Sequence, residues 1–291
     1  MQHIQPVKQN PLMSFMRQPK IYITLPSGGK FWPAGSIVVP ESNEFPVYSM
    51  TARDELLFKT PDALMNGQAI VDVIQSCIPN IKDAWVTPTI DLDTILIAIR
   101  LATYGAKMPF THKVPGTIED VEYEIDLRMM LDQQSNNYWV EQVAINPEFI
   151  ICVKPLSYRH MTQTSIKSFE TTRILNMVND DSIPDDKKLE MFNTSFNSLT
   201  KVTVDLLADS IYKVITPEGE VTNIPHIKEF IANADKDIFA AVQKHLNELK
   251  SHNELKPLKF ETTEEQQAAG APASYEVPVN FNDSDFFAKG F

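Results

Sequence analysis

Cysteine is nearly absent: Cys77 and Cys152 are the only two, far apart and each inside an apolar run. A disulfide framework and a four-cysteine metal knot are thereby excluded, and the expectation is two buried thiols in a reducing compartment. Long apolar runs are missing as well, none approaching the roughly 20 residues of a membrane-spanning helix. Met1-Gln2-His3-Ile4-Gln5-Pro6-Val7-Lys8 has neither the charged start nor the continuous apolar stretch of a signal peptide. Lys and Arg form no run, and 26 of them stand against 38 Asp and Glu for a formal charge of −12. Such a field repels phosphate backbones and anionic lipid, so neither nucleic acid nor a membrane is an expected partner.

Catalytic signatures are equally scarce. No nucleophile elbow, paired metal-binding histidines or cysteine–histidine dyad is present. Gly28-Gly29-Lys30 is followed by Phe31, where a phosphate-binding loop needs Ser or Thr, so the glycines read as a turn. Carboxylate pairs occur at Asp91 with Asp93, Glu119 with Asp120 and Glu122 with Glu124. They fall at a helix cap or on a strand's polar face, where charge is ordinarily solvated, whereas acid–base work needs a carboxyl raised in an apolar pocket. His245 is a lone histidine beside an apolar stripe, without a second ligand one turn away. The expectation is a protein that is not an enzyme and has no cofactor and no metal. A hydrolase is the remote alternative.

What is present is a core-forming chain, with 43% apolar residues in 291. The strand Ile21-Tyr22-Ile23-Thr24-Leu25 and the turn Pro26–Pro33 lead toward a helix capped by Thr51, with Asp54 and Glu55 in its first turn and Pro61 as its limit. Ile70, Val71, Val73, Ile74, Cys77 and Ile78 fall at helical spacing. Asp91-Leu92-Asp93-Thr94 opens a helix apolar on nearly every side that ends at Gly105, the expected central helix.

Residues 106–155 read as extended. Val121, Tyr123, Ile125 and Leu127 alternate with acids and Arg128, and Tyr138-Trp139-Val140 and Phe149–Val153 are further strands. From Tyr158 the period is helical. One helix stops near Asn179–Ser182 and the longest comes next, with Leu189, Phe192, Phe196, Leu199, Thr203 and Leu206 at spacings of three and four. That stripe fits a packed antiparallel helix pair or an intermolecular coiled coil. Pro217–Glu220 is a turn, Asn223-Ile224-Pro225 starts a short helix, and Asp235 caps a last one.

The fold class is α+β: small N-terminal and central sheets packed on helices, then a helical half with long antiparallel helices and a terminal hairpin and tail. The expected divisions are an arm over 1–20, a mixed domain over 21–155, a helical domain over 156–250 and the hairpin and tail over 251–291. Within that last part, residues 262–273 read as a loose loop of polar and small residues.

The wording of residues 21–66, with Pro26-Ser27-Gly28-Gly29-Lys30-Phe31-Trp32-Pro33 and Met50-Thr51-Ala52-Arg53-Asp54-Glu55-Leu56-Leu57, resembles the baseplate hub assembly family of T-even-type, contractile-tailed bacteriophages, a resemblance that covers most of the chain and is strongest over residues 21–105 and 255–287. The resemblance implies a binding protein whose partners are other hub or tail proteins, working in the host cytoplasm as an assembly factor or chaperone. A stable subunit of the hub in the virion is its alternative. Family members often carry paired cysteines of a zinc-ribbon type at two places. The matching stretches here, Phe110–Pro115 and Phe260–Tyr275, contain none.

Two groups of aromatics are candidate partner-binding residues. Phe281, Phe286, Phe287 and Phe291 crowd the tail, too close together to bury one another, and fit either docking into a partner or folding back. Phe31 and Trp32 come directly after the glycine pair and Lys30, and fit either an exposed aromatic edge or packing under the sheet.

Overall fold

A computed structural model of the chain describes residues 12, 15–58, 66–178 and 184–278. Strand Pro19–Ile23 (β1) pairs antiparallel with Phe45–Tyr48 (β2), and Phe45 and Val47 turn fully inward. Thr51 caps the helix Ala52–Leu57 (α1) as expected: its hydroxyl accepts from the Asp54 amide, and the Asp54 carboxylate accepts from the Thr51 amide. The expected limit at Pro61 lies outside the described residues.

Helix Gln68–Cys77 (α2) buries the apolar face read from the sequence. Helix Thr89–Tyr104 (α3) starts two residues earlier than its acidic pair suggested, after Pro88, and ends at Gly105, whose φ of 88° favours glycine. It lies against both β1 and β2 and is buried almost all round. Together with Leu25, Trp32 and the faces of α1 and α2 it makes the first hydrophobic core.

Residues 106–155 are not extended throughout. Lys107–Lys113 (β3) pairs antiparallel with Asp120–Asp126 (β4), which contains the alternating run read from the sequence as far as Asp126, but Leu127–Gln134 (α4) is a helix packed on α3. Leu127, Met130 and Gln134 are buried at i, i+3 and i+7, a helical stripe hidden by the alternation that precedes it. Tyr138–Val140 form no strand either. The Asn253 side chain exchanges hydrogen bonds with the Tyr138 backbone, and the His245 ring donates to the Val140 carbonyl, so these backbone groups are satisfied without a ladder.

The second core is built on a four-stranded antiparallel sheet of Gln142–Asn146 (β5), Phe149–Val153 (β6), Ile211–Thr216 (β7) and Gly219–Val221 (β8), in that spatial order. β7 corrects the reading of that segment: where the long helix stops at Ser210, a β-branched run begins, and the expected turn at Pro217 becomes a hairpin tip. Helices Tyr158–Val178 (α5) and Asp185–Ser210 (α6) form an antiparallel pair. Ile224–Asn233 (α7), capped by the Asn223 side chain, and Lys236–Asn253 (α8) close the core through Ile227, Ile231 and Val242.

Leu258–Glu261 (β9) and Ser274–Val277 (β10) pair as the terminal hairpin. The loop between them, expected to be loose, carries the helix Glu264–Ala268 (α9), because Thr263 and Gln266 form a second reciprocal capping box. Both cysteines are buried and unbridged, and burial, with Asp54 adding, pushes the Cys77 thiol up to about 12. Ile97 has no exposed surface at the centre of α3. Ile97→Ala should therefore cost about 2 to 5 kcal/mol in guanidinium unfolding. A change under about 0.5 kcal/mol, typical of surface sites, would deny α3 its central place.

Candidate interaction surface

The turn after β1 is fixed from below. Ser27 donates to Asp91 through its amide at 2.8 Å and through its hydroxyl, and the Trp32 indole donates to the same carboxylate at 2.8 Å. Asp91 is fully buried on α3, which corrects its reading as a solvated cap residue. Burial raises its pKa while the three donors act to lower it, and burial prevails.

Trp32, 8% exposed, belongs to the core. Phe31 is half-buried and meets Trp139 edge to face at 6.1 Å. Next to it, Lys30 pairs with Glu141, which also accepts from the Tyr212 hydroxyl at 2.6 Å. The turn thus spans the seam between the two cores.

The two cysteine-free stretches face one another. His112 on β3 shares a 2.7 Å hydrogen bond with the Tyr275 hydroxyl on β10, and its ring lies 4.2 Å from that of Phe260 on β9. Phe260 stacks on Tyr275 and takes the edge of Tyr123. The hairpin tips also touch, since a Cβ on Gly116 would collide with the Gly270 carbonyl oxygen. Among the described residues no group of three His, Cys, Asp or Glu is placed to hold a metal ion. Ring contacts and shape join these hairpins. Gly116→Ala, strained also by its φ of 81°, should lower stability by about 2 kcal/mol, read as a fall in melting temperature.

An exposed apolar stripe lies on the helix pair. α5 and α6 meet through small polar residues, with Thr171 and Ser195 buried. The expected pair is formed, but its seam is not the aromatic stripe. Leu189, Phe192 and Phe196 are 62%, 48% and 60% exposed, and the two rings stack at 6.4 Å. These large side chains, at i, i+3 and i+7, share one exposed face of α6, while Ser195 is buried. The spacing was legible in the sequence, whereas the side to which it faces was not. Phe169 on α5 is also exposed, at 61%. The tail candidates Phe281, Phe286, Phe287 and Phe291 lie outside the described residues.

Asp91 gives the turn a pH dependence. A carboxyl raised above its ordinary 3.8 in the folded state contributes stability that is complete below the unfolded value and is lost as pH climbs through the folded one. Wild type should therefore lose melting temperature relative to Asp91→Asn as pH rises from about 4. Asp91→Ala, which strands three donors, should be about 3 to 5 kcal/mol less stable throughout. A wild-type to Asn difference that is flat with pH would count against titration of Asp91.

No helix among the described residues is long and apolar enough to cross a membrane. No curated protein and no solved structure gives a significant match to the chain. The family model described as T4 bacteriophage base plate protein matches residues 16–268, which takes in both cores, the helix pair and most of the clasped hairpins and stops short of the tail. The chain belongs to the family of T4 bacteriophage base plate proteins.

Proposed function

We propose that the protein is a baseplate hub assembly factor that binds other hub or tail proteins in the host cytoplasm and acts by contact, not by catalysis. The observation that carries this is the stripe Leu189, Phe192 and Phe196, exposed on a helix of a chain from the base plate family. Each of these side chains gains about 1.5 to 3 kcal/mol when a partner covers it. The stripe is also small. Three half-exposed side chains offer roughly 300 Å², against about 800 Å² per partner in a stable interface, which favours a contact that is made and released. The tail phenylalanines Phe281, Phe286, Phe287 and Phe291 are proposed as further anchors in the same contact.

The other reading within this class is a subunit that stays in the mature hub. Mass spectrometry of purified particles separates the two, with a released factor absent and a subunit present in fixed ratio. Phe192→Ser combined with Phe196→Ser should leave the melting temperature within about 2 °C, since exposed sites contribute little to folding. The same variant should fail to complement particle assembly. Full complementation by a variant that folds normally would remove the stripe from the proposal.

A further inference from the structure

We propose that Ser157, His160, Asp209 and Lys228 form a proton-operated latch at the foot of the helix pair, closed while the His160 imidazole is neutral and loosened when it takes up a proton. The inference goes beyond the hub reading and does not depend on it. Three helices meet here: His160 lies in the first turn of α5, Asp209 in the last turn of α6 and Lys228 in the middle of α7. The Lys228 ammonium donates to one oxygen of Asp209 at 2.8 Å, and Nε2 of His160 stands 3.8 Å from the other. On the far side of the ring, Nδ1 shares a 2.7 Å hydrogen bond with the Ser157 hydroxyl. One carboxylate thus ties α6 to both of its neighbours.

The latch stands where the chain passes between the two cores. Just before α5, Ser157 pairs with Pro88 ahead of α3. The Tyr158 amide donates to the Thr87 carbonyl and the Thr89 amide to the Leu156 carbonyl, both at 2.8 Å. These bonds hold the foot of α5 to the first core, while α6 runs at Ser210 directly into β7 of the second. The first turn of α5 is closed by the Met161 amide on the Ser157 carbonyl at 3.1 Å, and the His160 amide reaches the Ser157 hydroxyl only at 3.5 Å. The cap is therefore long and open to disturbance through the imidazole.

A neutral imidazole serves both contacts in one tautomer, with Nδ1 accepting from the Ser157 hydroxyl and the proton on Nε2 facing Asp209. Protonation turns Nδ1 into a donor. The Ser157 hydroxyl must then swing away, and the imidazolium competes with Lys228 for a single carboxylate. The surroundings resist this further cation. Lys154 comes from the segment after β6, Arg159 from α5 itself and Lys228 from α7, against Asp209 on α6, and Asp205 one turn earlier acts on Lys228. Arg159 is shared with Asp83 at 4.0 Å and lies over the Trp85 ring. The N-terminus of α5 opposes a cation as well. Burial is the largest influence and pushes the imidazole below its ordinary 6.5; Asp209 pulls it up, Lys154, Lys228 and Arg159 push it down, and the net direction is down. A base held below its unfolded value contributes stability that is complete above 6.5 and is lost as pH falls through the folded value.

Imidazole titration of the full chain by NMR, with melting curves and amide exchange between about pH 8 and 5, tests this. The expected His160 midpoint is below 6.5, moved further down by Asp209→Asn and up by Lys228→Gln. Wild type should lose melting temperature relative to His160→Gln as pH falls below 6.5. Exchange of the amides of residues 158–162, corrected for its intrinsic pH dependence, should quicken over the same range in wild type alone. A wild-type midpoint at or above 6.5 would overturn the proposal without reliance on any variant. So would a difference from His160→Gln that does not change with pH, or first-turn exchange that ignores the titration.

Discussion

The arrangement of the two cores depends on one buried carboxylate. Placing Asp91 inside the protein costs several kcal/mol of lost hydration, and the three donors supplied by Ser27 and Trp32 offset that cost in part while burial still raises its pKa. Those donors come from a turn with two glycines at positive φ, Gly28 and Gly29, which lets the backbone double back over α3. With the turn fixed, Phe31 reaches Trp139 and Lys30 reaches Glu141. Burial pushes the Glu141 carboxyl up, but Lys30 and Tyr212 outweigh it and the net shift is downward. Burial first, and then its bond to Glu141, raises the Tyr212 phenol. A carboxyl buried in the first core thus holds the turn whose Phe31 and Lys30 contact the second.

The parts of this fold legible in the sequence are those whose causes are local. The Thr51 capping box, the all-round apolar α3 with its glycine stop, and the alternation of β4 each need only neighbouring residues to be recognised. Asp91 has the local signature of a helix N-terminus, and nothing near it in sequence reveals that Ser27 and Trp32, 64 and 59 positions away, will enclose it. β7 escapes for the same reason, because it pairs with β6 about sixty residues earlier and continues from a helix without a turn. The α9 helix was hidden differently. The composition of residues 262–273 suggested a loop and outweighed a Thr–Gln capping spacing that was in plain view.

The aromatic stripe of α6 was seen as a pattern but not as a surface. Periodicity tells which residues share a helix face and says nothing of which face the neighbouring helix takes. Here Ser195 and Thr171 are buried while Phe192 and Phe196 are exposed, a division that the spacing alone does not give. A similar exchange of roles joins the two hairpins. The places where the resemblance marks metal-binding cysteines are occupied by His112, Phe260 and Tyr275, and the joint rests on ring contacts and on the fit of Gly116 to Gly270. A joint of this kind forms with folding itself, whereas a metal knuckle ties folding to supply of the ion.

The exposed apolar residues are distributed in a way that bears on how this protein meets others. Around the α6 stripe Asn193, Asn197 and Thr200 are exposed and uncharged beside the two rings, whereas Asp186, Lys187 and Glu190 are exposed around Leu189, so a contact there combines apolar area with charge at one end. Phe15 and Met16 make a second, smaller exposed apolar spot beside Arg17 and its partner Asp54. The net charge of −12 keeps such a molecule dispersed despite both patches.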